Sequence, residues 1–204
     1  FDFTVSLLLI IFLSPVFLIV ALVVLIDSGH PVIFRQYRVG KGNKLFYIYK
    51  FRTMRVDTRN ASTDDLSEAE QAITRSGRIL RKTSLDELPQ LFNVLTGKMS
   101  FVGTRPEVRR YVDAYTDEMM ATLLMPAGVT SLASILYKDE AKLLDAAEDT
   151  DKVYVEKILP AKMYYNLKDL ENFSFWRDIK IMFMTVFAVL GKEFVVVAAL
   201  DDLA

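Results

Sequence analysis

Phe3–Ile26 reads FTVSLLLIIFLSPVFLIVALVVLI, 24 residues without a charge. If helical throughout it measures roughly 36 Å, enough to cross a bilayer. A signal peptide fits poorly, because the charged n-region and a small-residue cleavage site are both missing. Ser14-Pro15 interrupts the run near its middle. Proline removes a backbone donor and clashes with the carbonyl four residues back, here that of Ile11. A neighbouring serine satisfies a freed carbonyl, which makes such a break tolerable in lipid. Each arm is then roughly 17 Å long and reaches about halfway through the hydrocarbon. Two geometries follow from the residues: a kinked span, or a re-entrant helix–break–helix with both ends on one face.

The break is followed by Asp27-Ser28-Gly29-His30-Pro31, a turn cluster, and then by a basic block. Residues 31–60 hold eight Lys/Arg (Arg35, Arg38, Lys41, Lys44, Lys50, Arg52, Arg55, Arg59) against the single acid Asp57. Such a block beside an apolar segment reads as cytoplasmic and attracts anionic headgroups. The stretch from Asp139 to Asp151 is acidic instead, and the whole 204-residue chain nets −1. Apolar residues make up 52%. The absence of cysteine excludes a disulfide framework and thiolate metal sites, and the single histidine, His30, sits in the turn.

Val32–Arg38 and Leu45–Met54 carry strand-type residues on either side of Gly40-Lys41-Gly42-Asn43, which predicts two strands and a tight loop. Lys50 and Arg52, two apart, would point to one side. Residues 57–70 read as a surface loop leading into a helix. Ile73–Lys82 reads as a helix with Arg75, Arg78 and Arg81/Lys82 in one stripe, and Leu91–Leu95 as a short helix stopped by Gly97. Pro126-Ala127-Gly128 reads as a turn, and Ala141–Ile158 as a solvated helix. Ile179–Leu190 is too short to span and is either buried or interfacial.

The chemistry concentrates in Thr83-Ser84-Leu85-Asp86-Glu87-Leu88-Pro89-Gln90. Two adjacent carboxylates follow Arg75, Arg78, Arg81 and Lys82 and precede Lys98 and Arg105. One explanation is structural: Ser84-x-x-Glu87 is a capping box, and acids favour a first helical turn. The other is chemical. A carboxylate attacking a phosphoryl group needs a divalent cation and guanidinium clamps to offset like-charge repulsion. Mg²⁺ suits that task, since it binds through one or two carboxylates plus substrate phosphates. No P-loop, nucleophile elbow or dinucleotide fingerprint occurs. The acidic pI of about 5.9 and the lack of a basic–aromatic patch argue against nucleic acid.

These residues resemble the bacterial monotopic phosphoglycosyl transferases, the bacterial sugar transferase family. The resemblance runs through Ser14-Pro15, Asp27-Ser28-Gly29-His30-Pro31-Val32-Ile33-Phe34-Arg35-Gln36, Arg38-Val39-Gly40 and Lys50-Phe51-Arg52-Thr53-Met54. It continues through Ser84–Leu91, Asn93-Val94-Leu95, Met99–Gly103, Arg105-Pro106 and Pro126–Thr130. It implies that Asp86 attacks the sugar-linked phosphate of a UDP-sugar, releases UMP and carries the phosphosugar until polyprenol phosphate displaces it. It further implies Glu87 at Mg²⁺ beside Asp86, Lys50, Arg81 and Arg105 as basic residues at substrate phosphate, and Ser14-Pro15 as the break of a re-entrant helix. Arg52, two residues from Lys50, is expected at substrate phosphate with it.

The fold expected is therefore α/β and mostly helical, with a small β element: a monotopic membrane protein with interfacial helices. Residues 1–27 would form the membrane helix and 28–204 the catalytic domain on the cytoplasmic face of the bacterial inner membrane. Expected partners are UDP-sugar, polyprenol phosphate and membrane lipids, with a homodimer left open and no nucleic acid. A membrane-bound, metal-dependent lipid phosphatase or pyrophosphatase is the alternative enzyme, and a scaffold with a capping Asp86-Glu87 the non-enzymatic one. Thr104 stands where the family usually has proline and Ser131 where it often has glycine. The glycine-arginine-asparagine run that usually follows is replaced by Leu132–Glu140, so the sugar is open. The sequence starts at Phe1, short of the basic residues customary before it, and without the extra transmembrane bundle of larger members it resembles the small, minimal type.

Overall fold

A computed structural model describes residues 1–55, 72–138, 140 and 149–191. The expected loop over residues 57–70 and the first half of the expected helix over 141–158 lie outside them. The chain divides into two compact units, one of Phe1–Tyr37 with Tyr47–Gly97 and one of Arg38–Phe46 with Lys98–Ala204. Helices and small sheets make up the described residues, in keeping with a mostly helical α/β chain.

The first unit begins with α1 (Asp2–Phe12) and α2 (Ser14–Ser28), bent by 63° at Leu13. Pro15 lies in the first turn of α2, where its missing N–H is no loss. The Ser14 hydroxyl donates to the Ile11 carbonyl at 2.8 Å, filling the acceptor that proline strands. No single described helix is long and apolar enough to cross a membrane; the bent pair passes that test only together. Large apolar side chains line its outer surface, with Phe12 79% and Ile26 84% exposed. On the inner side Val20 and Val24 pack with Phe51 and Leu80, and the Phe17 ring meets those of Phe51 and Phe92.

Strands β1 (Ile33–Gly40) and β2 (Lys44–Phe51) pair as a hairpin around a 3₁₀ turn at Lys41–Asn43, where Gly42 takes φ 67°. The second strand ends three residues earlier than the sequence suggests. Beyond it Arg52 N–H donates to Val32 O, and Met54 bridges to Ile73.

Helix α3 (Arg75–Lys82) is capped by Thr74, whose hydroxyl accepts from Gly77 N–H at 2.9 Å. A β-carbon on Gly77 would lie 2.2 Å from Thr53 O, so glycine is what lets α3 approach the chain leaving β2. A 3₁₀ turn at Leu85–Glu87 leads through Pro89 into α4 (Gln90–Leu95), and Gly97 at φ 70° ends that segment as expected. α1 packs on α4 and α2 on α3. Asn93 replaces a strand neighbour: its amide donates to Tyr47 O at 2.7 Å and its oxygen accepts from Tyr49 N–H at 3.1 Å.

In the second unit β3 (Met99–Val102) pairs in parallel with β4 (Ala127–Thr130). The turn expected at Pro126-Ala127-Gly128 is thus the entry to a strand. Gly128 belongs there because a β-carbon would fall 2.2 Å from Gly103 N, too close for any side chain. Short helices α5 (Arg109–Val112), α6 (Asp117–Met120) and α7 (Leu132–Leu136) surround this pair in sequence.

Asp149 caps α8 (Thr150–Val153), which passes through a π-helical turn at Tyr154–Ile158 into α9 (Leu159–Glu171). The expectation of a solvated helix fails at Tyr154 and Ile158, both buried against Leu159 and Met163. The apolar residues at the end of that run carry the packing. Helix α10 (Phe175–Val189) buries Ile181 and Met184 against α7 and exposes Trp176, Phe183 and Val186.

Candidate active site

The turn that carries the two carboxylates is set by Ser84, a non-glycine residue in the left-handed region at φ 55°. It makes no side-chain cap, so the capping box read from Ser84-x-x-Glu87 does not form. The left-handed residue reverses the chain after α3, and Glu87 is drawn away from the helix start by Lys50. Lys50 Nζ donates to Glu87 Oε1 at 2.8 Å, with both side chains about four-fifths covered.

Asp86 is 8% exposed. Burial pushes its carboxyl above the usual range; Lys50 and Arg81 pull it back down, and Glu87 adds to the rise. A half-desolvated carboxylate near two cations is a poorly solvated anion, the state in which a carboxylate oxygen is most nucleophilic. The last turn of α3 supplies Arg81, and Arg81 Nε donates to Thr53 Oγ1 at 3.0 Å.

The first unit therefore brings Lys50, Arg81, Asp86 and Glu87 into one cluster. Arg52, expected beside Lys50, goes elsewhere. It is buried, Nη1 donates to His30 O at 2.8 Å, and Nη2 donates to the Ser28 hydroxyl at 3.0 Å and to the carbonyls of Ser28 and Gly29. The strand ends between the two residues, so the alternation that would have aimed them together is lost. Arg105 belongs to the second unit. Its loop is pinned by its main chain: Thr104 O accepts from Gly128 N–H, Pro106 O from Arg38, and Glu107 O from Val39 N–H. Beside it the Glu107 carboxylate accepts from the Tyr154 hydroxyl at 2.6 Å and faces Arg38 and Lys162. Thr53, Asn93 and this Glu107 network were not singled out by sequence reasoning. Their partners lie 28 to 69 residues away, beyond the reach of local periodicity.

Among the described residues no group of three or more His, Asp or Glu could hold a metal by itself. Asp86 and Glu87 offer oxygen donors only. That set suits Mg²⁺ bound through two carboxylates with phosphate oxygens completing its shell, and not a protein-made cage.

A family model described as bacterial sugar transferase matches residues 1–192. The chain belongs to that family. Among its relatives is the Aeromonas hydrophila UDP-N-acetylgalactosamine-undecaprenyl-phosphate N-acetylgalactosaminephosphotransferase, 37% identical over 87% of this chain and 40% of the relative. A Klebsiella pneumoniae UDP-glucose:undecaprenyl-phosphate glucose-1-phosphate transferase is 36% identical over 91% of this chain and 38% of the relative. The chain thus spans about two-fifths of those proteins. It is also 36% identical, over 95% of its length and 87% of the relative, to the uncharacterized sugar transferase EpsL of Bacillus subtilis.

Proposed function

We propose that the chain transfers a sugar-1-phosphate from a UDP-sugar to membrane polyprenol phosphate. The observation that carries the reading is the buried Asp86 beside the Lys50–Glu87 ion pair and Arg81, in the same unit as a bent, outwardly apolar helix pair. The names of the Aeromonas and Klebsiella relatives support transfer over the phosphatase alternative.

An Asp86 carboxylate oxygen attacks the phosphorus next to the sugar. The bond from that phosphorus to the bridging oxygen breaks, its electron pair leaves with UMP, and the phosphosugar remains as an acyl phosphate on Asp86. A phosphate oxygen of the lipid then attacks the same phosphorus and returns the carboxylate, giving polyprenol-diphospho-sugar. Lys50 and Arg81 offset the charge of the diphosphate as it nears a carboxylate. Arg105, in the second unit, is a further phosphate-binding candidate on sequence resemblance alone. Glu87 and Asp86 would hold Mg²⁺, which supplies charge neutralisation at the phosphates when bound.

Re-entry of α1–α2 from the cytoplasmic face of the inner membrane suits this chemistry. The nucleotide-sugar is aqueous, the lipid phosphate stays at the interface, and the break at Ser14-Pro15 gives arms too short to cross. The test is product formation by full-length protein in liposomes containing undecaprenyl phosphate, offered a panel of UDP-sugars. One of them should yield UMP and lipid diphosphosugar in equal amounts. Release of inorganic phosphate from the lipid, with no UMP, would replace this function with the phosphatase one.

A further inference from the structure

The last turn of α2 is held from two sides. From the exit of β2, Arg52 spreads its guanidinium over the carbonyls of Ser28, Gly29 and His30. These lie at and just past the C-terminus of a helix, where carbonyls lack intrahelical partners and the dipole favours a cation. On the other side the Asp27 carboxylate accepts from Ser76 N–H at 2.9 Å and from the Ser76 hydroxyl, in the first turn of α3. Those bonds hold Asp27 below the usual carboxylate range.

Both attachments lead directly to the reacting residues. Lys50, two residues before Arg52, is bonded to Glu87; Thr53, one residue after it, is bonded to Arg81. Phe51 between them packs on Phe17, Val20 and Val24 of α2. Four consecutive residues thus join the end of the apolar helix pair to the carboxylate dyad and its arginine. Arg52 directs Nη1 and Nη2 to the carbonyls of Ser28, Gly29 and His30 and to the Ser28 hydroxyl.

We propose that Arg52 is a positioning residue that, with Asp27, fixes the end of the membrane hairpin to the dyad and so governs transfer to the lipid acceptor. This positioning role replaces the phosphate-binding role expected for Arg52 from the sequence. The inference rests on the two-step transfer described above. The acceptor reaches Asp86 along the lipid-facing helices, whereas the nucleotide-sugar arrives from water, so displacement of α2 burdens the second step selectively.

The test separates the two half-reactions of the full chain in liposomes. UMP release from UDP-glucose or UDP-N-acetylgalactosamine is followed in a single turnover without lipid acceptor, and undecaprenyl phosphate is then added to discharge the adduct. Arg52→Lys keeps the charge but cannot span three carbonyls. It should leave the UMP burst within roughly twofold and slow discharge by about tenfold or more. Asp27→Asn should split the steps in the same direction and decides the matter if Arg52→Lys fails to fold. A slower burst, or a burst needing more UDP-sugar, in Arg52→Lys makes Arg52 a phosphate ligand and overturns the proposal. Unchanged discharge in both variants overturns it as well. No burst in the unmodified protein removes the two-step reading itself, and this inference with it.

Discussion

Lys50 Nζ lies 2.8 Å from Glu87 Oε1, and the same lysine is the strongest influence holding the Asp86 carboxyl down against its burial. One cation thus serves both members of the dyad. Lys50→Met should lower kcat/KM by about 10²- to 10³-fold, the usual consequence of deleting a preorganised charge at a reacting phosphate. It should also shift the acid limb of the UMP burst to higher pH, because Asp86 loses the stronger of the two cations that lower its pKa. Burst rates of the two proteins across pH 4–8 provide the check.

Asp86 carries a stability signature that separates chemistry from capping. Its folded-state pKa is raised, mainly by desolvation. The stability it contributes is therefore full below the unfolded pKa of about 3.9 and is lost as pH rises through the folded value. At neutral pH the ionised group favours unfolding. Asp86→Asn should accordingly melt higher than the unmodified protein at pH 7, with the gap closing as the pH falls toward 4, while turnover is abolished. A capping aspartate would give the opposite, a loss of about 1 kcal/mol and unchanged turnover.

The proposed re-entrant topology rests on the break at Ser14-Pro15. Pro15→Leu restores the N–H and removes the clash with Ile11, so Asp2–Ser28 should run as one helix of about 40 Å, longer than the hydrocarbon. With Phe1→Cys as reporter, an impermeant thiol reagent should label the unmodified chain from the cytoplasmic side and the Pro15→Leu chain from the opposite side.

The Glu107 network in the second unit is a structural requirement of the Arg105 loop. Burial, and then the Glu107 carboxylate, push the Tyr154 hydroxyl far above its ordinary range, so it remains a donor at every working pH. Tyr154→Phe removes that donor from a buried carboxylate and should destabilise the protein by about 1–3 kcal/mol in urea unfolding. Turnover per folded molecule checks whether the loop still serves substrate.

Much of the first unit was legible because its signals are local. The Ser14-Pro15 break, the stripe of α3 and Gly97 as a stop each follow from spacing and residue type, as does the hairpin turn around Gly42 in the second unit. The dyad was legible as a cluster of charges, but not its geometry: Ser84 in the left-handed region has no sequence mark, and it replaced the capping box. Arg52 points away from Lys50 because the strand stops at Phe51, short of the alternation read from the sequence. The turn expected at Pro126–Gly128 became β4 because parallel pairing with β3 is set 28 residues away, at Met99. The Tyr154–Glu107 contact is likewise long-range, and an acidic, apparently solvated stretch concealed it.

The proposed transfer passes through a covalent bond to Asp86. Full-length protein in liposomes without lipid acceptor, mixed with the UDP-sugar it turns over and acid-quenched within the first turnover, should gain the mass of one phosphosugar. The added mass should map to the peptide containing Asp86, vanish in Asp86→Asn and discharge on addition of undecaprenyl phosphate. UDP-sugar consumption and lipid product with no mass on the protein at any time would contradict it.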